Sequence, residues 1–143
     1  MMKTSARNQY SGKVTKVSRG AVNDEVEVQI AGGERIVAVI THESTEGLGL
    51  RVGTDAFALI KASSVIVVAD DAGVRFSARN RLAGTVSAVN PGAVNTEVVI
   101  ALPNGGSVAS IITNDSAASL GLKVGGAASA IFKASSVILA VPV

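Results

Sequence analysis

The chain contains no cysteine and no tryptophan, and among 143 residues it has one histidine, three prolines and four aromatic side chains. Without cysteine there is no disulfide framework, no thiolate metal site and no thiol nucleophile. The single histidine, His42, leaves no histidine cluster for a metal. The aromatics, Tyr10, Phe57, Phe76 and Phe132, are too few and scattered for a base-stacking platform. No apolar run approaches the roughly 18 residues of a membrane-spanning helix. The opening segment "MMKTSARNQY" has neither an apolar core nor a cleavage signal, so a cytoplasmic location without a secretory peptide is expected. Charge is also scarce. The formal net charge of +2 does not call for a polyanionic partner, and no basic run occurs.

What is present is Ala, Val, Ile, Leu and glycine. Hydrophobic residues make up 48% of the chain, and the mean hydropathy of +0.43 is high for so short a soluble protein. Such a chain is expected to bury surface against other copies of itself. The order of these residues is not random. A shift of 72 aligns Ser5–Val68 with Ser77–Ala140 without a gap, and 30 of the 64 aligned positions are identical. This is a tandem duplication, with a period too long for a solenoid and suited to a small barrel. Residues Ala69–Phe76 join the copies, with turn chemistry expected at Asp70, Asp71 and Gly73. Two domains are therefore expected, residues 1–70 and 71–143.

Within each copy the signals favour β-structure. "GKVTKVS" (Gly12–Ser18) and "GTVSAV" (Gly84–Val89) alternate apolar and polar residues. "VEVQI" and "RIVAVI" flank Gly32 and Gly33 as a hairpin, and "VVIAL" and "SVASII" repeat the arrangement. "HESTEGLGL" after Thr41 and "NDSAASLGL" after Thr113 predict a capped helix of one or two turns ending at glycine. "AFALIKASSVIVV" and "ASAIFKASSVILA" supply the last strands, broken near Ala-Ser-Ser. The fold class is all-β: two tandem OB-type five-stranded barrels, each with one short helix.

The duplication permits an internal comparison. Apolar identities need only a shared core, whereas the polar identities form a biased set: Ser5/Ser77, Arg7/Arg79, Asn8/Asn80, Asn23/Asn95, Glu25/Glu97, Thr41/Thr113, Ser44/Ser116, Lys61/Lys133, Ser63/Ser135 and Ser64/Ser136. Other polar positions have drifted, with Lys16 opposite Ala88 and Arg35 opposite Ser107. Arginine offers a planar fork of donors, lysine a compact charge, and the hydroxyls adjustable donors. Together they suit a small oxyanion rather than a metal cation. One Arg and one Lys balance a dianion, and the small neighbours Ala6 and Ala78 let backbone amides approach it. Each residue also has a purely structural reading, as a turn, a helix cap or a solvated charge. For the second kept block, "GAVN" at Gly20, Ala21, Val22, Asn23 and at Gly92, Ala93, Val94, Asn95, the residues alone favour a structural hairpin with a left-handed asparagine.

The ordered combination SARN, GAVN, T-x-x-S and KAS resembles the molbindin (Mop) family in its two-repeat form, over nearly the whole chain. The resemblance implies a free-standing binder of molybdate and of tungstate, for storage or homeostasis, with no organic cofactor and no direct cation ligands. It implies OB-type barrels, a homotrimer, and anion sites between subunits. Ser5, Ala6, Arg7, Thr41, Ser44, Lys61 and Ser63, with Ser77, Ala78, Arg79, Thr113, Ser116, Lys133 and Ser135, match one kind of site, and Asn8 and Asn80 complete their SARN tetrapeptides. The GAVN segments match a second kind near the threefold axis, where backbone amides bind, which reverses the hairpin reading. One departure is that family members often carry an aromatic after "KA", where both copies here have Ser-Ser.

Two rival classes remain. An enzyme would need a repeated catalytic constellation, yet His42 is replaced by Asn114 and no serine has a duplicated histidine base. "GLGLRVG" has the wrong spacing for a dinucleotide fingerprint. An OB-type nucleic-acid binder would need aromatic stacking and a basic groove. The expected partners are thus a small oxyanion and further copies of the chain, without nucleic acid or membrane.

Overall fold

A computed structural model of the protein describes residues 2–69 and 73–143. Its elements run in the order β1 (Asn8–Ser18), β2 (Asn23–Ile30), β3 (Arg35–Thr41), α1 (His42–Leu48), β4 (Asp55–Ile60) and β5 (Ile66–Val68), then β6 (Asn80–Pro91), β7 (Asn95–Ala101), β8 (Ser107–Thr113), α2 (Asn114–Leu120), β9 (Ala127–Phe132) and β10 (Ile138–Ala140). A one-turn 3-10 helix breaks each last pair of strands, at Ala62–Ser64 and Ala134–Ser136. The expected elements are all present. Asp70 and Asp71, assigned to the joining turn, lie outside the described residues, as does the expected domain boundary at 70/71; Gly73 has φ +74°.

Two five-stranded antiparallel sheets result, ordered β10-β4-β1-β2-β3 and β5-β9-β6-β7-β8. The fifth strand of each comes from the other repeat. Ile138–Ala140 pairs with β4, and Ile66–Val68 pairs with β9. The compact units are accordingly Met1–Ile60 with Lys133–Val143, and Lys61–Phe132. They differ from the sequence repeats, 1–70 and 71–143, by an exchange of C-terminal strands. Periodicity could not have indicated this, because a three-residue apolar strand carries the same pattern whichever sheet it joins.

Core composition follows the exchange. Inside the first unit Val14, Val26, Val28, Ile36, Ala58 and Ile60 are buried together with Val137 and Leu139 of the second repeat. In the second unit Leu82, Val86, Val98, Ile100, Val108 and Phe132 are buried with Val65 and Val67 of the first. Each such side chain stabilises its unit by roughly 1.5–3 kcal/mol relative to exposure, enough to hold a three-residue strand in place.

Two devices bend the long first strand of each unit so that the sheet can curl. The register slips between Val14 and Lys16 and between Val86 and Ala88, leaving Thr15 and Ser87 as bulge residues. Earlier in the same strands, a side chain at Gly12 or Gly84 would overlap the carbonyl oxygen of Gln29 or Ala101. Glycine is kept there for close backbone approach. The curl brings β10 and the 3-10 turn before it against β3, and β5 with its turn against β8. In the second unit the Ser110 hydroxyl closes this seam by donating to the Val65 carbonyl at 2.6 Å.

Candidate functional site

The SARN segment lies just before β1. Ser5 and Arg7 are exposed, and the Ala6 amide donates to Thr4 Oγ1 at 3.1 Å. Gln9 Nε2 ties the segment down, donating to Thr4 Oγ1 at 2.9 Å and to the Ala6 carbonyl at 3.0 Å. Asn8 differs from its neighbours. It is 2% exposed, its amide donates to the Ile60 carbonyl at 3.2 Å, and its Oδ1 accepts from the Tyr10 hydroxyl at 3.4 Å. Burial, with Glu34 nearby, pushes the Tyr10 phenol well above its ordinary value, so it stays a neutral donor. Asn80 is buried at the equivalent place. The buried asparagine thus locks the start of the strand, and Ser5 and Arg7 before it are what the segment presents to solvent.

Thr41 and Ser44 lie at the opposite end of the sheet. Thr41 pairs with Asn23, and Ser18, the last residue of β1, pairs with Glu25. Ten residue steps of β1, at about 3.3 Å each along the strand, separate Asn8 from Ser18. Arg7 and Thr41 therefore do not meet within a unit. Thr41 is the N-cap of α1: its Oγ1 accepts from the Ser44 amide at 3.1 Å and donates to Ser44 Oγ at 2.8 Å. Thr113 and Ser116 repeat this at 3.1 and 2.9 Å. Capping accounts for threonine here and leaves the serine hydroxyl hydrogen to be aimed at a third group.

Strand exchange determines which lysine-serine segment joins these caps. The turn Ala134–Ser136 packs on β3, and Ala62–Ser64 packs on β8. In the second unit a groove of about 620 Å³ gathers Ser63 with Asn95, Thr113 and Ser116 over a floor that includes Val65, Ile111 and Ile112. In the sequence Ser63 shares a repeat with Thr41 and Ser44. The fold sets it beside Thr113 and Ser116, and Lys133 and Ser135 belong to the unit that holds Thr41. Lys61 and Lys133 are exposed, each directly preceding its 3-10 turn.

The GAVN loops are tight turns into β2 and β7. Added side chains at Gly20 and Gly92 would collide with the carbonyl oxygens of Asn23 and Asn95. The loops pin the adjacent helices, since the Val22 carbonyl accepts from the His42 amide at 2.8 Å and the Val94 carbonyl from the Asn114 amide at 3.0 Å. The expectation of a left-handed asparagine is corrected: among the described residues no residue other than glycine has positive φ, and Asn23 and Asn95 open their strands. Glycine is needed for space, and the asparagines are exposed. Among the described residues, the amides of Ala21, Val22, Ala93 and Val94 have no hydrogen-bond partner. The valine side chains beside them, Val22 and Val94, are 73% and 71% exposed.

Beneath the first loop lies a group absent from the sequence-based set. Asp24 is buried and its Oδ1 accepts from the Gly20 amide at 3.0 Å. Its carboxylate faces His42 Nδ1 at 3.0 and 3.2 Å. The Thr45 hydroxyl, more than the Gly20 amide and the His42 ring, holds the Asp24 carboxyl below its ordinary value against the opposing effect of burial. In the second loop the equivalent residues are Thr96 and Asn114, with Thr96 Oγ1 donating to Asn114 Oδ1 at 2.6 Å and Asn114 Nδ2 donating to the Gly92 carbonyl at 3.0 Å. The paired change of positions 24/96 and 42/114 was the signal available in the sequence.

The family described as TOBE domain matches twice, at residues 4–67 and 77–139. A molybdenum transport protein ModE of Herbaspirillum seropedicae is 48% identical over 140 residues, 98% of this chain and 52% of its own. A molybdenum-pterin-binding protein MopA of Rhodobacter capsulatus is 49% identical over 141 residues, 99% of this chain and 53% of its own. The chain thus spans about half the length of the curated relatives it matches. A solved structure of a cytoplasmic molybdate-binding protein, ModG, with molybdate bound, superposes with TM-score 0.96 at 48% identity, covering 99% of this chain and 100% of that one.

Proposed function

The chain belongs to the TOBE-domain family, and on that premise we infer that it binds molybdate, serving intracellular storage or homeostasis of the oxyanion. The observation that carries this reading is the end-to-end likeness, at 48% identity, to a molybdate-binding protein with its ligand in place. The side-chain and backbone chemistry supports it. Arginine, lysine, serine hydroxyls and loop amides are all donors, and a fully deprotonated tetrahedral dianion is all acceptor. A rigid cage sized for molybdate leaves sulfate with longer, weaker hydrogen bonds and takes tungstate, nearly the same size, equally well. Protonated phosphate brings a hydrogen that a donor-only pocket cannot accept.

The sites are completed by other copies of the chain. Within a unit the Ser-Ala-Arg segment and the Thr-x-x-Ser cap stand at opposite ends of the sheet, so joining them needs a further unit, which a second subunit would supply. Exposed apolar residues recur at matched positions in both repeats, Val22 with Val94, Val52 with Val124 and Ile66 with Ile138, as a symmetric self-association surface requires. A homotrimer in the cytoplasm, as the family resemblance implies, is the assembly we propose.

The other readings have less support. Asp24 and His42 form two members of a hydrolytic triad, but His42 Nε2 faces the Glu46 carboxylate at 3.7 Å instead of a hydroxyl nucleophile. A base-stacking surface is not supported by aromatics of which Phe132 is buried, Tyr10 and Phe57 are half-buried, and Phe76 is exposed. Calorimetric titration tests the function: saturable molybdate binding with tungstate equivalent and sulfate far weaker is expected, and equal heats for sulfate and molybdate would refute it.

A further inference from the structure

The two GAVN loops share their sequence but not their electrostatic support. Four titratable residues form a linked set at the first: Arg19, Asp24, His42 and Glu46. Asp24 meets the Gly20 amide and the His42 ring, His42 Nε2 lies 3.7 Å from Glu46, and Glu46 pairs with Arg19. The aligned residues of the second repeat are Pro91, Thr96, Asn114 and Ala118. All four titratable groups have been replaced together by neutral ones, and two of the replacements, Thr96 and Asn114, form their own hydrogen bonds. Residual charges are matched between the loops and cancel in the comparison: Glu43 corresponds to Asp115 on the helices, and Glu25 to Glu97 on the strands, where each alternates to the face opposite Asp24 or Thr96.

We propose that the Asp24–His42 pair makes oxyanion binding at the first loop dependent on protonation, while binding at the second loop is not, so that the two sites of one chain differ in affinity with pH. The proposal rests on the assignment of the GAVN loops as anion sites. Arg19 and Glu46 cancel each other, so the charge beneath the first loop is that of Asp24 and His42 combined. With the imidazole protonated that sum is zero, as it always is beneath the second loop. With the imidazole neutral the carboxylate stands uncompensated under a loop that receives a dianion. An imidazole crosses between these states within about pH 5–8, so the switch operates where molybdate is itself a dianion. Asp24 and His42 act as positioning and tuning residues: they reach the anion through the loop and its field, without touching it.

His42 is the only histidine, so its ring gives a single unambiguous NMR signal in the full-length protein. Its titration is to be followed with and without saturating molybdate, beside calorimetry at pH 6 and pH 9. By linkage, molybdate is expected to raise the His42 titration midpoint, and one class of site is expected to weaken about tenfold between pH 6 and pH 9. Copying the second loop into the first, with Asp24→Thr and His42→Asn together, is expected to abolish the pH response and equalise the sites. The reciprocal variant, Thr96→Asp with Asn114→His, is expected to make both loops pH-dependent, and it serves if the first variant fails to fold. Anion counting on crystals at both pH values separates the two ways of failing. Anion on both loops with an unmoved His42 titration overturns the proposed asymmetry alone. No anion on either loop at pH 6 overturns the asymmetry and the loop assignment together.

Discussion

Leu139 belongs to the second repeat by sequence and to the first unit by packing, and removing its side chain separates these two memberships. It sits on β10, pairs with Ala58 and is 7% exposed. Leu→Ala changes in a core cost about 2–5 kcal/mol, and a short edge strand with slight exposure places this site near the lower end, at about 2–3 kcal/mol. At 1.4 kcal/mol per factor of ten, the opening equilibrium of the first unit rises about 30- to 150-fold. Amide hydrogen exchange by mass spectrometry reads the change segment by segment. Leu139→Ala is expected to reduce protection in β1 to β4, leaving β6 to β9 near wild type. Val67→Ala, at a site 6% exposed on β5, is the mirror experiment: a smaller loss, about 1–2 kcal/mol, confined to β6 to β9. Loss of protection in β6 to β9 upon Leu139→Ala, with β1 to β4 unchanged, would refute the strand exchange.

The remaining expectations concern the candidate sites. Arg7→Ala and Arg79→Ala each lose a charge-assisted donor worth roughly 1.5–3 kcal/mol, so affinity at the SARN-type sites should fall about tenfold to a hundredfold or more with the melting temperature preserved; unchanged titrations would make the segment structural. Asn23→Gly with Asn95→Gly removes no left-handed residue, so it should lower stability by about 0.5–1 kcal/mol per site through backbone entropy and should also lower the anion count per chain. Elemental analysis showing a full count would exclude the asparagine side chains as ligands. Asp24 has a folded-state pKa below its ordinary value, so its contribution to stability is complete above about pH 4, the unfolded value, and is lost as pH falls through the folded one. Asp24→Asn should therefore flatten the acid limb of the melting-temperature profile, and an unaltered limb would contradict the hydrogen bonding described.

The parts of this fold legible in the sequence were those with local causes. Thr41 and Gly49 announce where α1 begins and ends, and the structure has the cap and a C-cap at φ +65° in those places. Alternation marked β1 and β6, though both start earlier than the pattern, at Asn8 and Asn80, because a buried asparagine carries no apolar signal. Partner choice was not legible. Ile66–Val68 and Ile138–Ala140 are both three-residue apolar strands that fit either sheet, and only tertiary packing decides between them. The candidate site divided in the same way. Repetition singled out SARN, GAVN and the hydroxyl caps, but it also swept in Asn8, whose repetition reflects a structural amide. The pair Asp24 and His42 is not among the identical positions, and it is informative instead through its coordinated change to Thr96 and Asn114.

The most direct test of the account is diffraction from crystals grown with molybdate, with anomalous data collected at the molybdenum absorption edge. Anomalous peaks beside Arg7 and Arg79, each lying between subunits with the Thr-x-x-Ser cap of a second chain, together with peaks on the GAVN loops, are the expected result. Crystals of the same protein that show no peak at either kind of position would contradict it.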